Sequence, residues 1–359
     1  MRRALILLGA CAATPEPRPA TPIAVAPVPI DAAIPEAPSP PPVPPAPVSD
    51  EVWLRGSTHV HALPSGDSSE PLGGVIAWYE ARHYDFIALT DHNKVTPVEQ
   101  GHSLIVLPGS ELTFNPSGCL PEGDPSKKCR IHVNALGVTA HPDGKIDWAN
   151  RHTHERVAMY QAALDEARTL GAAVVQINHP QWYWGMTGDL LVELAKRGAQ
   201  LVEIENIQFD TWNKGDADHP SMEKIWDDAL AAGVTVWGVA SDDAHDYEDH
   251  HGKWPAGGGW VMVKARRDPR AILEALAAGH FYASTGVALT HAEADSGELV
   301  VEVAPDAQGS YEIEFVENGK LAELVKGKSA RRAIPQSGYL RAVVTRDDGA
   351  KAWVQPVRR

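Results

Sequence analysis

The chain has 359 residues, with 32 Lys plus Arg against 47 Asp plus Glu, a net charge of −15. That acidity argues against a protein that grips many nucleic-acid phosphates. No run of about 18 apolar residues offers a membrane-spanning helix, and the length suits one large domain plus a small one.

The chain opens on Met1-Arg2-Arg3, then the apolar run 4–8, then Gly9-Ala10-Cys11. A positive start, an apolar run and small residues are the layout of an export signal. Leu8-Gly9-Ala10-Cys11 resembles a bacterial lipobox, which implies a signal over 1–11 that ends at a lipidated Cys11. Residues 12–50 follow as a spacer. Fourteen of the 29 prolines lie between Pro15 and Pro47, with no aromatic residue among them. So little bulk cannot offset the entropy of ordering, and an extended tether of up to ~100 Å is expected. The reading is an exported protein, lipid-anchored to the cell envelope on the periplasmic side or at the outer membrane of a Gram-negative bacterium. It would touch a membrane only through that anchor.

The folded part begins near Asp50. Short apolar runs at 52–54, 85–90, 103–107, 133–138, 173–178, 201–205, 235–240 and 260–263 read as buried strands. Helical periodicity falls at 75–83, 154–170, 189–197, 221–231 and 269–278. Such alternation implies a parallel sheet covered by helices, and residues 51–289 have the length of a (β/α) barrel. After Leu289 the β-forming runs 299–303, 311–315, 339–344 and 352–356 are separated by turn pairs such as Asn318-Gly319 and Asp348-Gly349. These predict a small antiparallel β domain over 290–359. Cys119 and Cys129 flank a loop-like stretch, and an even pair close in sequence in an exported chain suggests a disulfide.

The chemistry lies in the placement of the 16 histidines and their acidic neighbours. His59 and His61 are two apart after the first strand, so both rings can reach one cation. Asp91-His92 follow the second strand, and Glu111 follows the third through a Pro108-Gly109 turn. His179 ends another strand. Asp243 and His245, again two apart, follow the 235–240 run. Loops after parallel strand ends converge, so the set predicts a multinuclear metal centre of imidazole and carboxylate ligands. Glu203 and Glu205 alternate with Val202 and Ile204 and so share a strand face that can turn to that centre, as can Asn206. Trp182-Tyr183-Trp184 reads either as a wall for an aromatic substrate or as packing under a long loop. Arg130 and Lys94, the basic groups beside the motifs, read either as phosphate-receiving groups or as solvated ones. His250-His251 reads as a solvated loop.

His59-Val60-His61, Ala88-Leu89-Thr90-Asp91-His92, Pro108-Gly109-Ser110-Glu111 with His132, and Ser241-Asp242-Asp243-Ala244-His245 occur in that order, supported by Asn178-His179-Pro180. In these motifs, over about 53–289, the chain resembles the PHP (polymerase and histidinol phosphatase) family of metal-dependent hydrolases, and within it an exported branch similar to carbaryl hydrolase. The resemblance implies a distorted seven-stranded (β/α) barrel holding two or three divalent ions (Zn, Mn or Fe). It implies that His59, His61, Glu111 and Asp243 hold a first ion, and that His92 and His245 hold a second with Asp67. Glu111 would bridge to a third with His132 and His179. The chain departs from the family pattern at three places. Ser57 stands where an Asp is common, Ala62 follows the second histidine, and Asp67 lies one residue farther on than the commonest spacing. Asp91 and Asp242 are the candidate catalytic carboxylates, as proton shuttles or as groups that orient His92 and Asp243.

Clustered divalent ions can supply hydroxide at neutral pH, so no serine or cysteine nucleophile is required, and no G-x-S-x-G sequence is present. The first functional reading is a phosphoesterase on a small phosphorylated substrate. A hydrolase of a non-phosphate ester, carbamate or amide is the alternative, and a non-catalytic surface binding lipoprotein a third. Each has a small molecule and no nucleic acid as its partner, and each leaves the oligomeric state open.

Overall fold

The computed structural model describes residues 50–99, 101–149, 154–248 and 255–359. The predicted signal with Cys11, the spacer up to residue 49 and His250-His251 lie outside the described residues. The chain divides after Val48, and Ser49–Arg359 is one unit.

Eight strands build the half that carries the motifs. They are β1 (Val52–Val60), β2 (Phe86–Leu89), β3 (Ile105–Phe114), β4 (Ile131–Leu136), β5 (Val174–Ile177), β6 (Leu201–Asn206), β7 (Trp237–Ser241) and β8 (Trp260–Ala265). β1, β2 and β3 run parallel, as do β5, β6 and β7. β4 lies antiparallel to both β3 and β5, and β8 lies antiparallel to β1. Among the described residues there are six α-helices: α1 (Leu72–Ala81), α2 (Arg156–Thr169), α3 (Gly188–Lys196), α4 (Asp210–Lys214), α5 (Met222–Ala231) and α6 (Pro269–Ala278). Ser221 caps α5, and Asp268 caps α6 ahead of Pro269, so both starts were written locally in the sequence.

The remaining strands are β9 (Phe281–Ser284), β10 (Leu289–Asp295), β11 (Glu298–Val303), β12 (Tyr311–Glu317), β13 (Lys320–Lys326), β14 (Ser329–Ala333), β15 (Leu340–Arg346) and β16 (Lys351–Val357). β10, β11 and β14 form a three-stranded sheet. The others extend the first sheet to 13 strands, in the order β13-β12-β15-β16-β9-β8-β1-β2-β3-β4-β5-β6-β7. Asn318 and Gly319, at φ 51° and 74°, close the β12–β13 hairpin with the left-handed pair such a turn requires.

This architecture corrects the expected fold class, a distorted seven-stranded (β/α) barrel followed by a small antiparallel β domain. The protein is mostly β, with one open mixed sheet. Strands β3 and β4 are joined by a loop with no crossover helix, so the chain turns straight back and pairs antiparallel. The sheet does not close, since the end of β1 meets the chain after β7 at a single bridge, Val60–Ala244. The C-terminal strands continue the same sheet through β16 and β9. The sheet nonetheless curls strongly. Leu54, Phe86, Leu107, Leu136, Val174, Leu201, Val239 and Val261, one from each of β1 to β8, meet in a single apolar cluster. Tyr339, just before β15, with Val343 of β15 and Trp353 of β16, packs in the same core as Leu194 of α3 and Trp226 of α5.

The Pro108-Gly109 pair is not a turn; both residues lie within β3. A Cβ at Gly109 would sit 2.9 Å from the Ala135 carbonyl oxygen and 3.0 Å from that of Leu89, so only glycine lets the neighbouring strands approach. Cys119 and Cys129 are disulfide-bonded, with Cα atoms 5.7 Å apart, and both are buried. Replacing both by serine is expected to cost about 3 kcal/mol on the chain-entropy account, read as a lower urea midpoint.

Candidate metal centre

The curl brings six strand ends to one place. β1 supplies His59 within the strand and His61 just past it, with ring centroids 5.1 Å apart. His92 follows β2, Glu111 lies inside β3, His179 follows β5, and Asp243 and His245 follow β7. His132 is the second residue of β4. Because β4 runs antiparallel, its first residues lie at the same sheet edge as the last residues of its neighbours. That reversal places His132, which no argument from parallel strand ends could do.

Glu111 is the hub. Its Oε1 lies 2.9 Å from His132 Nδ1 and 3.4 Å from both His59 Nε2 and His179 Nε2. Its Oε2 lies 2.7 Å from His92 Nδ1 and 3.7 Å from His61 Nε2. Asp243 Oδ1 faces His59 Nε2 at 3.1 Å and His61 Nε2 at 3.2 Å. Asp67 Oδ2 reaches His92 Nε2 at 2.9 Å and His245 Nε2 at 3.2 Å. All nine predicted ligands therefore fall into four overlapping groups with mutually close ligand atoms. These are His61/Asp67/His92/His245, His59/His179/Asp243, His59/His61/Glu111 and Glu111/His132/His179.

The electrostatics suit cations. Burial opposes the charge on Glu111, but His132, His92 and His59 hold its carboxyl well below the usual range. Asp243 is likewise held low against burial, by His59 and His61 foremost. Burial pushes His61 down to about 3 and His132 down to about 4, so both are neutral with lone pairs to give. Burial also opposes charge on His59, yet Asp243, Glu111 and Glu203 keep it protonated. A cation entering there displaces that proton. Among the described residues the buried His61 Nε2 completes no hydrogen bond, nor does the buried His179 Nδ1. Buried carboxylates, neutral imidazoles and an unsatisfied His61 nitrogen together fit a cation. The chain thus has buried His/Asp/Glu groups that could hold metal ions.

Supporting residues complete the cluster. Glu203 Oε1 accepts from His59 Nδ1 at 2.7 Å and fixes the ring. Asn178 Nδ2 donates to Glu111 Oε1 at 2.9 Å, and Asn115 Oδ1 lies 2.8 Å from His132 Nε2. The alternation along β6 signalled Glu203; Asn115 carries no local signal. Glu205 is different. The β6–β7 register shifts between Glu203 and Glu205, and Glu205 lines another cavity, with Asn213 Nδ2 donating to it at 2.8 Å. The expectation that both glutamates face the centre fails at that irregularity. Burial pushes the Glu205 carboxyl up to about 7. A raised folded value means that the stability it allows is complete below the unfolded value of about 4.3 and is lost as pH rises through 7. Glu205→Gln is expected to flatten that loss and to raise the urea midpoint at pH 8.

The two candidate catalytic carboxylates do not line the cavity. Asp91 is fully buried, accepting from Ala62 N at 2.8 Å and from the Thr96 hydroxyl. Asp242 is also fully buried, accepting from Ser57 Oγ at 2.7 Å, Gly257 N at 2.7 Å and Tyr79 Oη at 3.1 Å. Their hydrogen bonds tie the neighbouring loops together, and Ser57 is one of the donors to Asp242. The cavity itself measures roughly 130 Å³, and Trp182 and Phe209, both packed against the His179 ring, line it beside the ligands. No protein-family model matches the chain, and no curated protein matches it either.

Proposed function

We propose that the protein is a metal-dependent hydrolase of the PHP type whose substrate is a small phosphoester. The observation that carries this reading is that nine predicted ligands fall into four overlapping groups that share His59, His61, Glu111 and His179. His59, His61, Glu111 and Asp243 would hold one ion, Asp67, His92 and His245 a second, and Glu111, His132 and His179 a third, with Zn, Mn or Fe as the metals. Bound divalent ions supply an activated water and polarise the scissile group. The chain's own residues do the rest. Glu203 orients His59, Thr113 Oγ1 at 2.6 Å holds His92 Nδ1, and Trp182 and Phe209 give the cavity an apolar wall.

A non-phosphate ester, carbamate or amide is the second reading, favoured because among the described residues no Lys or Arg lines the cavity while two aromatic rings do. Export and lipid anchoring remain part of the proposal, supported by the Cys119–Cys129 disulfide, a bond that persists in oxidising compartments. The test is an assay of the full chain loaded with Mn²⁺ or Zn²⁺ on p-nitrophenyl phosphate, bis-p-nitrophenyl phosphate and p-nitrophenyl acetate. Turnover of a phosphoester, abolished by chelation, is expected. Turnover of the acetate alone selects the second reading. No turnover with less than one ion per chain overturns the enzyme and leaves a binding lipoprotein.

A further inference from the structure

The rim of the metal cavity carries cations that nothing in the proposed chemistry uses. Arg130 is half-buried two residues before His132, and its Cζ lies 4.8 Å from the Trp182 ring and 5.0 Å from the Tyr183 ring. Lys128 Nζ lies 5.2 Å from the same Tyr183 ring and 3.5 Å from its hydroxyl. Neither side chain has a carboxylate partner among the described residues. Arg130 Nη1 donates to the Cys129 carbonyl at 2.7 Å, while its buried Nε has no hydrogen-bond partner among the described residues. In a chain with a net charge of −15, an arginine without a carboxylate beside an active-site mouth is a group awaiting an anion.

We infer that Arg130 and Lys128 form an oxyanion subsite at the cavity rim, which takes a carboxylate or phosphate on the part of the substrate that is not cleaved. This rests on the hydrolase reading above. Trp182 joins the rim to the cluster, its ring centroid 5.8 Å from that of His132 and 5.3 Å from that of His179, with Arg130 Cζ 4.8 Å from the same ring. Arg130 and Lys128 are not among the described residues that line the cavity with the ligands, so the subsite takes a second group of the same molecule. The rim is also preorganised. Tyr183 and Trp184 hold left-handed backbone at φ 59° and 53°, a conformation that costs non-glycine residues energy. The disulfide-closed loop presses on them so closely that a Cβ on Gly123 would meet the Tyr183 carbonyl oxygen at 2.2 Å. That contact holds the backbone that carries Tyr183, and the Tyr183 ring stacks on that of Trp182 with centroids 5.5 Å apart.

The probes are phenylphosphonate, 4-phosphonobenzoate and 1,4-phenylenebisphosphonate, whose C–P bonds resist hydrolysis, titrated calorimetrically into the metal-loaded full chain. 4-Phosphonobenzoate or the bisphosphonate is expected to bind about tenfold tighter than phenylphosphonate. Whichever gains more identifies the remote group as carboxylate or phosphate. Arg130→Met with Lys128→Met removes the gain, leaving phenylphosphonate affinity and metal content unchanged. Arg130→Lys restores part of it, and Lys128→Met alone, at an exposed position that folding does not need, removes part of it. No gain in the wild type, or a gain that survives the double variant, overturns the subsite. Loss of metal and of phenylphosphonate binding in the wild type itself overturns the hydrolase reading instead.

Discussion

Replacing Glu111 by Gln is expected to lower turnover more than a hundredfold and to strip metal from the protein while the fold persists. Glu111 is fully buried, and its two oxygens face five imidazoles. Partners of metal ligands typically matter by 10–100-fold on the order of magnitude scale, and a carboxylate shared by several ligand groups exceeds them. The amide keeps the size of the side chain but removes the charge. Ions that bind only the native state at about a thousand times their dissociation constant add ~4 kcal/mol. A chelator should therefore lower the wild-type melting temperature by several degrees and leave Glu111→Gln unmoved. If Glu111 were only a hydrogen-bonding core group, the opposite would be seen: a less stable variant and a wild type indifferent to chelation.

Arg341→Met is expected to destabilise the protein by about 3–5 kcal/mol, the cost of stranding a buried partner charge. Asp227 of α5 accepts from Arg341 Nε at 2.7 Å, from Arg341 Nη2 at 2.8 Å and from Tyr339 Oη at 2.7 Å. Arg341 is 2% exposed and Asp227 6%. The pair ties the C-terminal strand β15 to a helix of the half that carries the His/Asp/Glu cluster. Adding Asp227→Leu should recover much of the loss, because two apolar groups leave no orphaned charge. The same linkage predicts that residues 49–289 alone fail to fold. Without β16, strand β9 loses a neighbour, and the helix core loses Tyr339, Val343 and Trp353. Urea denaturation of the variants and of the fragment checks both statements. A cooperative transition from the isolated fragment would restore the separate C-terminal domain read from the sequence.

The two results mark where the sequence was legible. Residue type and an i, i+2 spacing are local properties, so His59 with His61 and Asp243 with His245 could be read directly. Strand ends delivered most of the other ligands for the same reason. Strand direction is not local. The apolar run of β4 looks the same whichever way it runs, and its reversal both broke the barrel pattern and carried His132 to the site. The register shift beside Glu203 left no mark in the alternation of Val202, Glu203, Ile204 and Glu205, so one glutamate faces His59 and the other a different cavity. Asp91 and Asp242 have the residue type of a proton carrier. Their loops instead turn them onto backbone amides and hydroxyls, a choice made by tertiary structure.

Elemental analysis of the full chain, purified and then equilibrated with Zn²⁺ or Mn²⁺, tests the central claim most directly. The overlapping His, Asp and Glu groups predict more than one tightly held divalent ion per chain, and loss of those ions in Asp243→Ala without loss of the folded state. Less than one ion per chain in the wild type, or the same metal content in Asp243→Ala, would contradict it.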